Sequence, residues 1–456
     1  MKQRNIDLLH GNILTALTEL AVPIMATALV QTAYNLTDMA WIGVVGSEAV
    51  AAVGAAGMYT WLSTGVVMLA RMGGQVLVAQ AMGRGKQERA VAFGRGALQM
   101  TFLLAILYGL GTVLLAKPLI EFFHLNSAWT VENAAIYLQI ACGLIIFPFF
   151  GQTITGLYTA VGNSKTPFLA NCAGLVLNLI FDPVLILGVG PIPALGVAGA
   201  AIATVSAQAV VVLALVLGAV RGKDPILTRQ LKMWKPVPMR ILIRIGRIGI
   251  PAAVQELVYC GISMVLTRFV TAWGDGAVAV QRVGGQIESL SWMTAQGFGT
   301  AINAFTGQNY GAGNFERVKK GYYQATLIML IWGMFTTALL FFGAEPIFAV
   351  FIHEPDVIAQ GASYMRIISV CEMFMCVELM TVGAMSGLGK TMEASVITIL
   401  LTAMRIPLAM ILGNTALGLD GVWWALSVSS IMKGILFFGY YTRILRRYTR
   451  QRPIEP

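Results

Sequence analysis

Twelve apolar runs, each of bilayer-crossing length, follow one another along the chain at 15–42, 49–71, 94–116, 132–156, 167–188, 196–220, 247–271, 277–304, 321–343, 359–386, 392–413 and 419–442. About 20 helical residues cross a hydrocarbon layer, and only helices or closed barrels satisfy their own backbone there. A barrel would read as short alternating segments. Runs this long and continuous predict an all-α polytopic membrane protein with twelve transmembrane helices. Composition agrees: 11% of residues are charged, against about 25% in soluble domains.

The net charge of +10 raises the question of nucleic acid, and its distribution answers it. With the N-terminus in the cytoplasm, one side collects Lys2, Arg4, Arg84, Lys86, Arg89, Lys165, Arg317, Lys319, Lys320, Lys390, the basic loop 221–247 and the Arg-rich tail. The other side holds Lys117 among acids such as Glu48, Glu121, Glu345 and Asp420. This is the positive-inside pattern, and it accounts for the basic balance with no nucleic-acid partner. It predicts a multi-pass protein of a bacterial or archaeal cytoplasmic membrane with both termini inside. No cleavable leader pattern precedes the first span. Five Cys fall inside apolar runs without metal-ligand spacing and read as core residues; His10, His124 and His353 fall outside the spans, so a histidine relay is excluded. No nucleophile–base pair emerges, and the chain does not read as an enzyme.

The chain repeats itself. Gln80…Gly83-Arg-Gly85…Glu88-Arg89 resembles Gln308…Gly311-Ala-Gly313…Glu316-Arg317 at an offset of 228, and Pro23 and Pro251 stand at the same offset. Gly196…Gly199 matches Gly418…Gly421 at 222. Six spans per half in one order predict parallel repeats: an N-lobe over 1–220, a cytoplasmic linker over 221–246 and a C-lobe over 247–456. The lobes are expected to be related by a pseudo-twofold along the membrane normal, with a substrate cavity near the midplane.

Carboxylates inside spans are costly and usually kept for function. Asp38 and Asp182 count as the only acids within the first six spans. Both lie toward the outer end of a span that starts inside, so they share one depth. Asn178 is one helical turn before Asp182, and Pro183 weakens the helix there, which predicts a bend. Two poorly solvated carboxylates at one depth cannot both stay ionised, which is the chemistry of a proton or Na⁺ site at Asp38, Asn178 and Asp182. Gln31, Tyr34 and Asn35 extend a polar stripe along the Asp38 helix. The second half offers Glu256, Tyr259, Glu288, Glu372 and Glu378 as further cavity residues. Its glutamates have the alternative of pairing with the few in-span cations: Arg71, Arg366, Arg405, Arg268 and Arg282. Ser386-Gly-Leu-Gly389-Lys390-Thr391 imitates a phosphate-binding loop, but Ala384 stands where that motif needs Gly. Without a nucleotide motif, an ion gradient is the expected energy source, and no cofactor is expected.

Asn35-Leu-Thr-Asp38, Asn178…Asp182-Pro183, the two Gly-rich signatures, Gly-x-Gly-Lys-Thr before span eleven and Arg405-Ile-Pro407 within it together resemble the multidrug and toxic compound extrusion transporters, over nearly the whole chain. The resemblance implies a V-shaped cavity between two lobes and antiport of cationic or amphipathic drugs against H⁺ or Na⁺, by a monomer in the lipid bilayer. It implies a coupling site at the residues matching Asp38, Asn178 and Asp182, joined by a span-six threonine that matches Thr204. Another branch couples through a span-seven Glu and a span-ten Asp; Glu256 lies about one turn from the first, and span ten here has Glu372 and Glu378 but no Asp. The alternative is a flippase for a lipid-linked precursor or other amphiphile, which would want a more cationic cavity.

Overall fold

The computed structural model describes residues 6–123, 127–188, 193–222, 225–350 and 355–450. Among them the chain forms helices and one short 3₁₀ turn, with no strand. The helices are α1 (Ile13–Val45), α2 (Ser47–Gly83), α3 (Gln87–Leu114), α4 (Ala116–Glu121), α5 (Ala128–Gly143), α6 (Ile146–Ala160), α7 (Lys165–Leu187), α8 (Gly196–Arg221) and α9 (Pro225–Gln230). They continue with α10 (Met239–Val270), α11 (Asp275–Gly311), α12 (Phe315–Phe342), α13 (Ala344–Ala349), α14 (Pro355–Gly387), α15 (Thr391–Ala403), α16 (Arg405–Gly413) and α17 (Leu419–Arg450).

Ten elements are long and apolar enough to cross a membrane, α15 with α16 counting as one. The pair α5 and α6, bent by 43° at its break, makes an eleventh. The expected eighth span is α11, whose 37 residues reach across but are too polar for the same test. The twelve expected spans therefore each have a helix or a broken helix. α3 shows how one is partitioned. Ala97, Leu98, Thr101, Ala105, Gly109 and Thr112 are buried, while Phe102, Leu103, Ile106, Leu107, Leu110 and Leu114 are exposed. Mostly small residues face the protein and large apolar side chains face outward, the arrangement a lipid-facing helix favours. α7 stays helical through Pro183.

The chain divides into two compact units. Of the described residues, the first comprises Ile6 and Ala26–Ala253, the second Asp7–Met25 and Val254–Arg450. The divisions fall inside α1 and inside α10, shortly after Pro23 and Pro251. In the first unit α2 packs on α3, α5 and α6, and α7 on α8. Its close contacts are between backbones: a Cβ on Gly249 would meet the Leu69 carbonyl oxygen at 1.8 Å, and one on Gly73 the Ile245 oxygen at 2.3 Å. The segment 221–246 belongs to this unit. Its α9 lies on α3, where buried Gln230 donates to the Ala90 carbonyl (3.1 Å) and Gln99 donates to the Met233 and Lys235 carbonyls. In the second unit α14 is central, packed on α11, α12 and α17 around fully buried Trp423 and Phe348.

The repeat is visible in the turns. α2 and α11 end identically: Gly85 and Gly313 take φ of +68° and +75°, and Lys86 and Asn314 each donate back to the carbonyl five residues earlier. Such left-handed caps close a helix at little cost only with Gly, which explains the paired Gly-rich signatures. Gly162 and Gly389 (φ +85° and +83°) close α6 and α14 in the same way, so the phosphate-loop imitation is a helix-to-helix turn. His124 and His353 lie outside the described residues. All five Cys are free and four are buried, in keeping with a packing role.

Candidate functional site

Asp38 on α1, Asn178 and Asp182 on α7, and Thr204 on α8 converge within the first unit. Asn178 Nδ2 donates to Asp182 Oδ1 at 3.0 Å and to Asp38 Oδ1 at 3.4 Å. The Thr204 hydroxyl donates to Asp38 Oδ2 at 3.0 Å. One amide nitrogen therefore serves both carboxylates, and their oxygens lie no farther apart than those two bonds span. The local reasons are simple. Asn178 and Asp182 are four apart on one helix face, and α7 and α8 pack along their length, bringing Thr204 alongside.

Asp182 and Asn178 are both 0% exposed, and Asp38 is half-buried. Among the described residues neither acid has a Lys or Arg partner. Among the described residues Asp182 Oδ2 and Asn178 Oδ1 are buried without a hydrogen-bond partner. A buried acceptor left unmatched costs about 1–3 kcal/mol, more if charged. The set of oxygens here suits one small electrophile, a proton or a desolvated monovalent cation.

Of the polar stripe on α1, Tyr34 is buried and its hydroxyl donates to the Thr204 carbonyl at 3.0 Å, so it braces the site. Gln31 and Asn35 bond each other at 3.4 Å, with Asn35 exposed. Tyr137 on α5 also reaches Asp38 and Thr204 electrostatically. Nothing in its apolar surroundings marks it, and only the fold brings it in. Two acids were left out of the span inventory: Glu19 in α1 and Glu132 in α5 are helical, and both are exposed.

In the second unit Glu288 and Tyr259 lie within electrostatic reach of Arg405, and Glu372 within reach of Glu288, while Glu378 is paired elsewhere. Glu372 on α14 is fully buried and accepts from the Ser291 hydroxyl of α11. Glu288 on α11 accepts from Tyr364 of α14 at 3.4 Å. Glu378 pairs with Lys433 of α17 at 2.8 Å, with the two side chains 3% and 5% exposed. Glu256 is half-buried and Tyr259 exposed on α10. The cations are also allotted differently from the inventory. Glu378 takes Lys433, which the list of in-span cations lacked; Arg366 pairs with Glu345 near the helix end; Arg405 donates to Ser430 and Ser429 at 2.9 and 3.3 Å.

Comparison with known proteins places these findings. The MatE family model matches residues 23–184 and 251–411, once in each half. A probable multidrug resistance protein NorM of Thermotoga maritima is 26% identical over 92% of this chain and 91% of its own length. A FAD transporter of Shewanella oneidensis is 25% identical over 100% of this chain and 98% of its own. A solved MOP-superfamily transporter from Pyrococcus furiosus, described as having a binding pocket of reversed polarity, superposes with a TM-score of 0.91 over 99% of this chain and 100% of that one, at 24% identity. With a doubled family match, two six-span halves and a polar centre buried in one of them, the chain belongs to the MatE family of membrane transporters.

Proposed function

We propose that this transporter is a secondary active exporter of cationic or amphipathic small molecules, driven by H⁺ or Na⁺ exchanged at Asp38 and Asp182. The observation that carries the reading is the carboxylate pair served by one Asn178 amide, with no cation partner and two acceptors left open among the described residues. Uptake of a proton or Na⁺ neutralises the pair and supplies the missing partner; its release restores two close negative charges, which repel. Two such states differ in packing around α1 and α7, and a drug that prefers one is linked reciprocally to the ion, by about 1–3 kcal/mol for typical coupling. The multidrug names of the relatives support the cargo class. One chain carries the whole centre, so a monomer suffices. The charge pattern supports both termini and the loop 221–247 on the cytoplasmic side.

The test is transport of a fluorescent cation in proteoliposomes under an imposed pH or sodium gradient. Wild type should move it against its gradient. Asp38→Asn and Asp182→Asn, which remove charge but not volume, should each lose gradient-driven flux at least about tenfold, while staying monodisperse. Wild-type rates in both variants would place the centre elsewhere. A Cys at position 232 labelled from outside intact cells would refute the topology.

A second reading, an exporter or flippase of phosphate-bearing amphiphiles, is favoured by Arg405. This side chain is buried and donates to two serines; the Glu288 carboxylate is within electrostatic reach, but among the described residues no carboxylate forms an ion pair with it. The FAD transporter among the relatives points the same way. Transport of a flavin nucleotide in preference to the cation, lost in Arg405→Gln, would favour it.

A further inference from the structure

The turn joining α2 to α3 opens into a small cleft whose charged lining is entirely cationic. Arg84 and Lys86 come from the turn, Arg89 from the start of α3 and Arg244 from α10, with Gln80 and Phe93 beside them. Among the described residues no carboxylate lines the cleft. The adjacent acid, Glu88, is committed to Arg229 at 2.6 Å. Among the described residues none of the four cations forms an ion pair. Four like charges around one cleft repel each other, and an anion is what relieves them.

The second half supplies an internal control. Its turn between α11 and α12 has the same backbone hydrogen bonds and the same left-handed Gly. There Arg317 stands where Arg89 stands in the first half, at the repeat offset of 228. Its guanidinium donates to three carbonyl oxygens of the N-terminal segment: Leu8 at 3.2 Å, Gly11 at 2.9 Å and His10 at 2.8 Å. Ala312 and Asn314 occupy the positions of Arg84 and Lys86. So in one half the positions matching Arg84, Lys86 and Arg89 carry one cation, Arg317, and the chain itself supplies its acceptors. In the other those positions carry three cations, with Arg244 beside them, and among the described residues no carboxylate pairs with them.

We infer that the α2–α3 cleft binds a phosphate-bearing anion, either the headgroup of an anionic phospholipid or a soluble phosphate. The chemistry is that of guanidinium forks on phosphate oxygens, aided by the amino end of α3. The position suits a headgroup: α2 ends at Gly83 and α3 starts at Gln87, so the cleft lies where two spans leave the hydrocarbon.

The experiment uses the full-length protein in neutral detergent, titrated separately with phosphatidylglycerol, phosphatidylcholine and inorganic phosphate. Binding is followed by native mass spectrometry and by thermal stabilisation. The expected result is retention of phosphatidylglycerol over phosphatidylcholine, weakened about 100-fold in Arg84→Gln/Arg89→Gln/Arg244→Gln. The matching triple Lys variant should keep most of the binding, and Lys319→Gln/Lys320→Gln at the other turn should keep all of it. Equal binding of inorganic phosphate, with the same dependence on the three arginines, assigns the soluble source; binding of the lipid alone assigns the headgroup. Wild-type affinity in the triple Gln variant, an equal loss in the Lys319/Lys320 variant, or no preference for either anionic probe overturns the site.

Discussion

The Glu378–Lys433 pair is a closed interaction whose removal has a computable cost. The two side chains are 3% and 5% exposed, and they join α14 to α17 at 2.8 Å. Removing one partner by Lys433→Met leaves a carboxylate with one oxygen already lacking a donor and now no counter-charge. Breaking a buried pair in this way costs about 3–5 kcal/mol, and Glu378→Leu should cost as much by stranding the ammonium. Replacing both partners removes the desolvation penalty together with the attraction. The double variant should therefore return to about wild-type stability or exceed it by about 1–4 kcal/mol. Reversible denaturation in detergent, followed by Trp fluorescence, gives the three numbers of the cycle. Non-additivity of about 3 kcal/mol or more is expected. Single changes that add, or that each cost less than about 1 kcal/mol, would refute the argument that the charges depend on each other. The double variant should also keep gradient-driven transport, because a pair shut between two helices is an architectural element. Loss of coupling with intact stability would move Glu378 into the ion pathway.

Three other outcomes follow from particular contacts. Gly249→Ala should destabilise the first unit by at least about 1–3 kcal/mol, read by the same denaturation, because its Cβ would meet the Leu69 carbonyl oxygen at 1.8 Å; a neutral effect would mean α10 can back away from α2. Arg317→Gln removes donors to three carbonyls of the N-terminal segment, and hydrogen exchange over residues 8–11 should rise at least about tenfold, with unchanged exchange refuting the clamp. Asp7 lies outside the spans; partial burial pushes its carboxyl up, but hydrogen bonds from the Leu9 and His10 amides and the His10 ring outweigh it and hold it below the ordinary value of 3.8. A depressed carboxyl stabilises above its unfolded value and loses that contribution as pH falls through the folded one, so the Leu9 amide signal should stay native-like down through pH 3.8 and change only below it. A change centred above that value would contradict the assignment.

The fold was legible because a bilayer leaves a chain few choices: apolar run length specified the helices, and the offsets between Gly-rich turns specified two like halves. The breaks were not legible. The run 132–156 gives no sign of the bend between α5 and α6, because Leu144 and Ile145 are as apolar as their neighbours. The acid pair was legible in part. Its Asn178–Asp182 spacing is local, but the meeting of Asp38 with Thr204 depends on α1 and α8 converging, and only the family resemblance suggested Thr204. Tyr137 carried no signal. Lys433 was overlooked because it sits in the last span, close to the Arg-rich tail, where a cation reads as part of the positive-inside pattern. Pairing was the weakest inference for the same reason: which acid meets which base depends on helix rotation, and hydropathy does not encode it.

The outward stripe of α3, Phe102 to Leu114, has a consequence for what selects the native state. Large apolar side chains there are as comfortable against acyl tails as against protein, so greasiness cannot tell a correctly assembled bundle from a loose one. Discrimination passes to steric fit on the opposite face, where Ala97, Ala105 and Gly109 allow close approach. A trimming of Leu107 should then pass unnoticed in a fluid bilayer, while one added methyl at Gly109, facing the Cys142 carbonyl oxygen at 2.8 Å, should be felt through the whole bundle. Along α3 tolerance to mutation runs opposite to residue size: the bulky outward positions are the freest to drift, and the small inward ones carry the specification.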